Sequence, residues 1–173
     1  MSDDRRQRFE FLYRESGPAL LAYALRRTDR EAAQDAVAET FLVVWRRFDD
    51  LPAEPLPWLY GIARRILANQ RRGVQRRERL NARLSTVGAG GLEPVDGRDG
   101  RVITALATLR ASDRELLMLI AWEGLTPAQA ALALGCSANG CRIRLHRARR
   151  KLERALTDES RLRPVTAKPR EAE

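Results

Sequence analysis

Apolar positions recur along this chain at steps of three and four residues, and nowhere do they alternate as a half-buried strand would. From about Phe9 to Gln75 the pattern predicts amphipathic helices. Phe9, Leu12 and Tyr13 begin an apolar face that continues through Leu20, Leu21, Tyr23 and Leu25, with Gly17-Pro18 marking a turn or the start of the next helix. Thr28 and Asp29 can cap a new helix. In it Ala33, Val37, Phe41, Val44, Trp45 and Phe48 form one stripe, and Asp35, Glu39, Arg46 and Arg47 lie off it. Asp49 to Pro57 contains three prolines in six residues and reads as a stiff loop. Trp58, Leu59, Ile62, Ile66 and Leu67 then open another amphipathic helix, whose other face is Arg64, Arg65, Asn69, Arg71 and Arg72.

Residues 76–100 read as a linker. Gly88, Gly90, Gly91, Pro94, Gly97 and Gly100 leave too little apolar surface to offset the entropy of ordering it. The helical pattern resumes at Arg101 and runs to Leu156, and a polar tail from Thr157 to Glu173 is expected to be disordered. The fold class is therefore all-α. Two separate small helical domains, residues 1–75 and 101–156, are expected, joined by a flexible tether at 76–100, with a tail at 157–173.

In the second zone Ala105, Leu106, Leu109, Leu116, Leu117, Leu119 and Ile120 form a helical pair broken near Ala111-Ser112-Asp113, where Ser112 or Asp113 would cap the second member. Gly124 suits a left-handed cap. Thr126 as N-cap, Pro127 at the first helical position and Gln129 completing a capping box start a short helix, Pro127 to Leu134. Gly135-Cys136-Ser137 turns the chain, and Ser137 caps a long helix through Ala155. On that helix Cys141, Leu145, Ala148 and Leu152 step by four, three and four to form a buried stripe. Arg142, His146 and Arg149 occupy another face, widened by Arg144, Arg147, Arg150, Lys151 and Arg154. Ala130, Ala131 and Gly135 allow close helix crossing, so the segment reads as a helix-turn-helix whose second helix enters a DNA major groove. An Arg there can bond guanine O6 and N7 together, while others hold phosphates.

Charge supports that reading. The formal net charge is +9, and of the 32 basic residues only Lys151 and Lys168 are not Arg. A basic protein attracts polyanions, nucleic acid above all. No apolar run approaches the ~18 residues of a membrane span, and Met1 to Arg8 leads into no signal-peptide core. A cytoplasmic protein without membrane insertion is expected. Cys136, Cys141 and His146 cannot make a four-ligand zinc site, and no metal or other cofactor is expected.

Together these segments resemble a known family. Glu123-Gly124-Leu125-Thr126-Pro127-Ala128-Gln129-Ala130-Ala131, Leu134-Gly135-Cys136-Ser137 and Arg142 to Leu152 look like domain 4 of extracytoplasmic-function sigma factors, the group 4 members of the sigma-70 type. Asp35 to Trp45 resembles the region 2.2 helix of that family, and Trp58 to Arg65 its promoter-melting helix. The resemblance spans about Phe9 to Leu156.

The resemblance implies a subunit that binds core RNA polymerase, through the β′ clamp helices and the β flap, and directs initiation at particular promoters. Asp35, Glu39, Thr40, Leu42 and Val43 would face polymerase. Trp58, Gly61, Arg64, Arg65, Asn69, Arg71 and Arg72 would handle the single-stranded −10 element, where a base is turned out at a cost of a few kcal/mol; Trp58 can stack on a base or simply pack. Ser137, Asn139, Arg142, Arg144, His146, Arg147 and Arg149 would read the −35 duplex. An anti-sigma factor is a further partner the family implies. Many members carry Asn at the place of Arg65, and the loop before Trp58 is elsewhere less rich in proline. Both departures point to a divergent −10 preference.

Two other functions compete. A helix-turn-helix regulator that never serves as an initiation subunit would need a sensor or dimerisation domain, which the first zone does not resemble. A DNA-processing enzyme would need an activated Ser or Tyr; Tyr13, Tyr23 and Tyr60 all fall in apolar helical patterns, and no carboxylate cluster is ready for a catalytic metal. No catalytic residue and no small-molecule substrate are expected.

Overall fold

A computed structural model describes residues 3–82 and 98–162. Among them are seven α-helices, one 3-10 turn and no strand. The first half holds α1 (Asp3–Leu25), α2 (Arg30–Arg46), a 3-10 turn (Phe48–Asp50) and α3 (Pro55–Ala82). The second holds α4 (Arg98–Thr108), α5 (Ala111–Ala121), α6 (Pro127–Leu134) and α7 (Ala138–Leu162). Of the expected linker, residues 83–97 lie outside the described residues, as do residues 163–173 of the tail.

Several boundaries differ from the sequence pattern. Gly17-Pro18 does not interrupt α1. Proline removes one backbone donor, but Leu12, Ser16, Leu20, Tyr23 and Ala24 fall on one buried stripe that straddles it. Burial on both sides of the lost bond holds the helix together. Pro55 and Pro57 are likewise helical, lying in the first turn of α3. Amides there have no partner within the helix, so proline removes nothing. The helix also runs past Gln75 to Ala82, and α7 past Ala155 to Leu162.

Caps follow chemistry closely. Asp29 accepts from the Ala32 amide at 2.9 Å to open α2. Thr126 and Gln129 form the reciprocal capping box of α6, with Gln129 N donating to Thr126 Oγ1 at 3.2 Å and Thr126 N donating to Gln129 Oε1 at 2.9 Å. Gly135 ends α6 at φ 67°. Its amide donates to Leu132 O and that of Cys136 to Ala131 O, the paired bonds of a Schellman turn. Helix α5 is an exception: Arg110 is its N-cap without a side-chain bond. Asp113, expected as a cap, instead lies buried in the first turn and accepts from Lys151 Nζ of α7 at 2.7 Å.

The two halves do not stand apart. Their buried side chains form one cluster that runs from Leu12 and Leu20 through Leu59 and Ile66 to Leu116, Ala133 and Leu145. Helix α6 packs along α3, and the end of α1 meets α5. The closest approach is at Gly61, where an added β-carbon would sit 3.1 Å from Ala133 O. The two domains are thus docked on each other rather than held apart by the linker. A long tether permits docking as readily as it permits separation.

Candidate nucleic-acid interface

Helix α7 begins where Ser137 Oγ accepts from the Gly140 amide at 3.1 Å. Cys141 and Ala148 are fully buried and Leu145 nearly so, against α4, α5 and α6. That stripe fixes the rotation of the helix. Ser137, Asn139, Arg142, Arg144, His146, Arg147 and Arg149 are all exposed as a result. Burial pushes the Cys141 thiol above its ordinary value, and the neighbouring Cys136 raises it further. Cys141 is thus a core side chain.

Helix α3 has the opposite problem. Leu59, Ile62, Ile66 and Leu67 are buried in the first half. Arg65, Asn69, Arg71 and Arg72 are exposed, with Asn69 accepting from Arg72. Gly61 is buried under Ala133. Arg64 is half-buried and donates weakly to Leu134 O at 3.4 Å, while its Nε is buried without a partner. Trp58 is half-buried, with the Arg47 guanidinium 5.6 Å from its ring centre. The seven residues assigned to the −10 element are therefore split: four are exposed and three are wholly or partly covered by the protein itself.

On α2, Asp35 and Glu39 are exposed, Leu42 stands 57% exposed beside them, and Val43 is half-covered. Thr40 is different. It is fully buried, and its hydroxyl donates to Ala36 O at 2.6 Å. A direct contact from Thr40 to a partner is excluded in this conformation, because a β-branched residue one turn from Ala36 faces the core with Phe41 and Val44.

One group of side chains had no signal in the sequence. Tyr23 Oη donates to Glu115 Oε1 at 2.8 Å. Arg27 bonds Glu115 through Nε at 3.0 Å and Nη2 at 3.2 Å, and reaches Glu123 at 3.3 Å. Arg26 pairs with Glu123 as well. The Arg27 guanidinium lies 3.6 Å over the Tyr23 ring, and that ring is 4.9 Å from Tyr60. Burial, then the Glu115 charge, raises the Tyr23 phenol far beyond its usual range. Burial, then Glu123, pushes Tyr60 up to about 12. The partners are separated by 88 to 97 residues, so local pattern could not pair them.

Among the described residues no helix is long and apolar enough to cross a membrane. Comparison with known proteins gives the context. The Sigma-70 region 2 family matches residues 12–77, and the Sigma-70, region 4 family matches residues 99–152. The chain is 32% identical over 129 residues to the RNA polymerase sigma factor NccH of Alcaligenes xylosoxydans xylosoxydans, covering 68% of this chain and 69% of that one. It is 30% identical over 155 residues to the ECF RNA polymerase sigma factor SigL of Mycobacterium tuberculosis, covering 85% and 88%. Among solved structures, the sigma factor RpoE in complex with the anti-sigma factor NepR from Bartonella quintana superposes at a TM-score of 0.67, with 25% identity over 87% of this chain and 98% of that one. CnrH in complex with the cytosolic domain of CnrY superposes at 0.62, with 26% identity over 89% and 90%.

Proposed function

The chain belongs to the extracytoplasmic-function RNA polymerase sigma factors, and from that premise we propose how its residues divide the work. As a member it binds core RNA polymerase and directs promoter-specific initiation. We assign residues 1–75 to polymerase docking and the −10 element, and residues 101–156 to the −35 element. Helix α7 reads −35 duplex through Arg142, Arg144, His146, Arg147 and Arg149, with Ser137 and Asn139 at the end that enters the groove. One observation carries this: a buried Cys141–Leu145–Ala148 stripe turns all seven side chains outward together. Arg at such positions supplies both phosphate charge and bidentate guanine bonds.

Arg65, Asn69, Arg71 and Arg72 hold the freed −10 strand, joined by Arg64, Gly61 and Trp58 once these are uncovered. Arg65 is exposed at a place where many members carry Asn, and its charge favours a phosphate or guanine edge over an amide's pattern. Asp35, Glu39, Leu42 and Val43 form the polymerase-docking face, with Thr40 shaping the helix from inside. By analogy with RpoE, whose structure contains the anti-sigma factor NepR, an anti-sigma factor covers these surfaces when the protein is held inactive. The protein works where polymerase does, in the cytoplasm, and as a specificity subunit rather than a catalyst.

The experiment is reconstitution with core polymerase on a library of genomic promoter fragments, followed by transcript sequencing. Promoter-dependent transcripts that vanish with Arg142→Ala/Arg147→Ala support the assignment. Transcripts indifferent to both substitutions sink it. Duplex affinity should also fall steeply with salt, and less steeply in the double variant, because two fewer phosphates are neutralised.

A further inference from the structure

The outward face of α7, assigned above to the −35 duplex, is polar or charged except at one place. Ile143 is 47% exposed. Among the described side chains of α7 it is the one large apolar group left open to solvent; Leu145 is buried, and Leu152 and Leu156 are half-buried.

Its direction follows from the same stripe that orients the arginines. Ile143 is two residues past Cys141 and two before Leu145, and a step of two residues turns a helical side chain by about 200°. Cys141 is fully buried and Leu145 nearly so. Ile143 therefore lies on the side of the helix away from the core. Exposed Asn139 and Arg147 stand one turn before and after it, and exposed His146 is beside it. Helical side chains lean over the preceding turn. Three residues back is Gly140, which offers no side chain to cover the isoleucine. Ile143 also falls within the first two turns of α7, which begins at Ala138. That is the part of a second helix-turn-helix helix that reaches base edges.

Folding gives no reason for an isoleucine there. It belongs neither to the buried core nor to the half-buried side chains packed against it. At an exposed helical site a β-branched residue is a poorer choice than Arg, Gln or Lys. What it supplies is apolar surface held in one place, because isoleucine in a helix keeps nearly a single χ1 rotamer. In the major groove, guanine, adenine and cytosine present ring nitrogens, carbonyls and amino groups, and thymine alone adds a methyl group. Arg142 and Arg147 can bond guanine, but a guanidinium has nothing to offer a methyl. Given the −35 reading proposed above, on which this rests, we propose that Ile143 is a specificity-determining residue that packs on the 5-methyl group of a thymine in the −35 duplex. Cytosine at that place would bring an amino group under the isoleucine, stripped of water and without a bond. Shielding one methyl group from water corresponds to about fourfold in affinity.

Deoxyuridine lacks that methyl group and keeps the pairing of thymine, so it isolates the contact. The holoenzyme, full chain with core RNA polymerase, is bound to a promoter recovered from the genomic library, and each thymine of the −35 segment on either strand is replaced singly by deoxyuridine. One replacement should weaken binding of the parent about fourfold. Ile143→Ser should bind thymine and uracil at that place equally, while Ile143→Val, which keeps a branched apolar tip, should still prefer thymine. The thymine-to-uracil ratio within each variant cancels changes in folding or in phosphate contacts. If no single uracil weakens the parent, or if Ile143→Ser keeps the same preference, the methyl contact is overturned. Absence of promoter-dependent transcripts defeats the promoter reading, and the replacements are then made in duplexes that the full chain selects from a random-sequence pool. A thymine preference lost in Ile143→Ser upholds the methyl contact by itself; a pool without enrichment, or an unchanged preference, defeats it as well.

Discussion

Gly61 of α3 and Ala133 of α6 meet so closely that a β-carbon on Gly61 would lie 3.1 Å from Ala133 O and 3.4 Å from Ala133 Cα. The neighbour is helix backbone, which cannot swing aside as a side-chain tip would. Gly61→Ala should therefore weaken docking by about 1 kcal/mol, the low end for overpacking. Helix α3 itself gains roughly the same amount, because Ala is the better helix former. Amide exchange at 127–134 should speed up while the first half melts no earlier. Unchanged exchange would show that the contact is looser than its geometry.

Tyr60 gives the docked state a pH signature. Its phenol is pushed up to about 12, first by burial and then by Glu123, against an ordinary value of 10.0. The raised acid stays neutral in the folded protein, so its contribution is complete below pH 10 and is lost as pH rises toward 12. Tyr23 moves the same way. Urea midpoints should fall across that interval, and Tyr60→Phe should flatten the fall. An identical slope in the variant would rule Tyr60 out as its source.

The α6 capping box should be measurable on its own. Thr126→Ala removes the acceptor for the Gln129 amide and one of the two Thr126 donors to the Gln129 side chain, leaving the bond from the Thr126 amide. The expected loss is about 1 kcal/mol. Chemical denaturation of the chain, with intact α7 helicity at zero urea, reads it. A loss below a few tenths would mean that water replaces the cap without penalty.

Cysteine reactivity distinguishes core from turn. Cys141 is fully buried with its thiol raised, while Cys136 is partly exposed. Iodoacetamide at pH 8 should modify Cys136 first, and Cys141 should follow only as pH or denaturant increases. Peptide mapping by mass spectrometry identifies the site. Early labelling of Cys141 would contradict the buried stripe that orients α7.

Local chemistry made much of this protein readable in advance. The period of Cys141, Leu145 and Ala148 sets which way Arg142 and Arg147 point, because a helix has only one rotation that buries a given stripe. Thr126, Pro127, Gln129 and Gly135 fix the ends of α6 for equally local reasons, and the structure places that helix at Pro127–Leu134 as the caps require. Where sequence reading went astray, longer-range packing outweighed a local rule. Pro18 should break a helix, yet α1 continues because residues on either side of it share one core. Pro55 and Pro57 should form a loop, yet they occupy the one turn that tolerates them. Thr40 had the polarity of a surface residue and was buried by its place between Ala36 and Val44.

The sequence by itself determined the helices, their caps and the outward Arg face of α7, since each depends on neighbours within about four residues. Only the tertiary structure decided that Tyr23, Arg26 and Arg27 meet Glu115 and Glu123, and that Gly61 and Arg64 are covered. Those pairings join residues 88 to 97 apart across a glycine-rich connection. Nothing in a helical period encodes which of two amphipathic units will dock on the other, because docking is set by the fit and charge of surfaces that exist only after both units have folded.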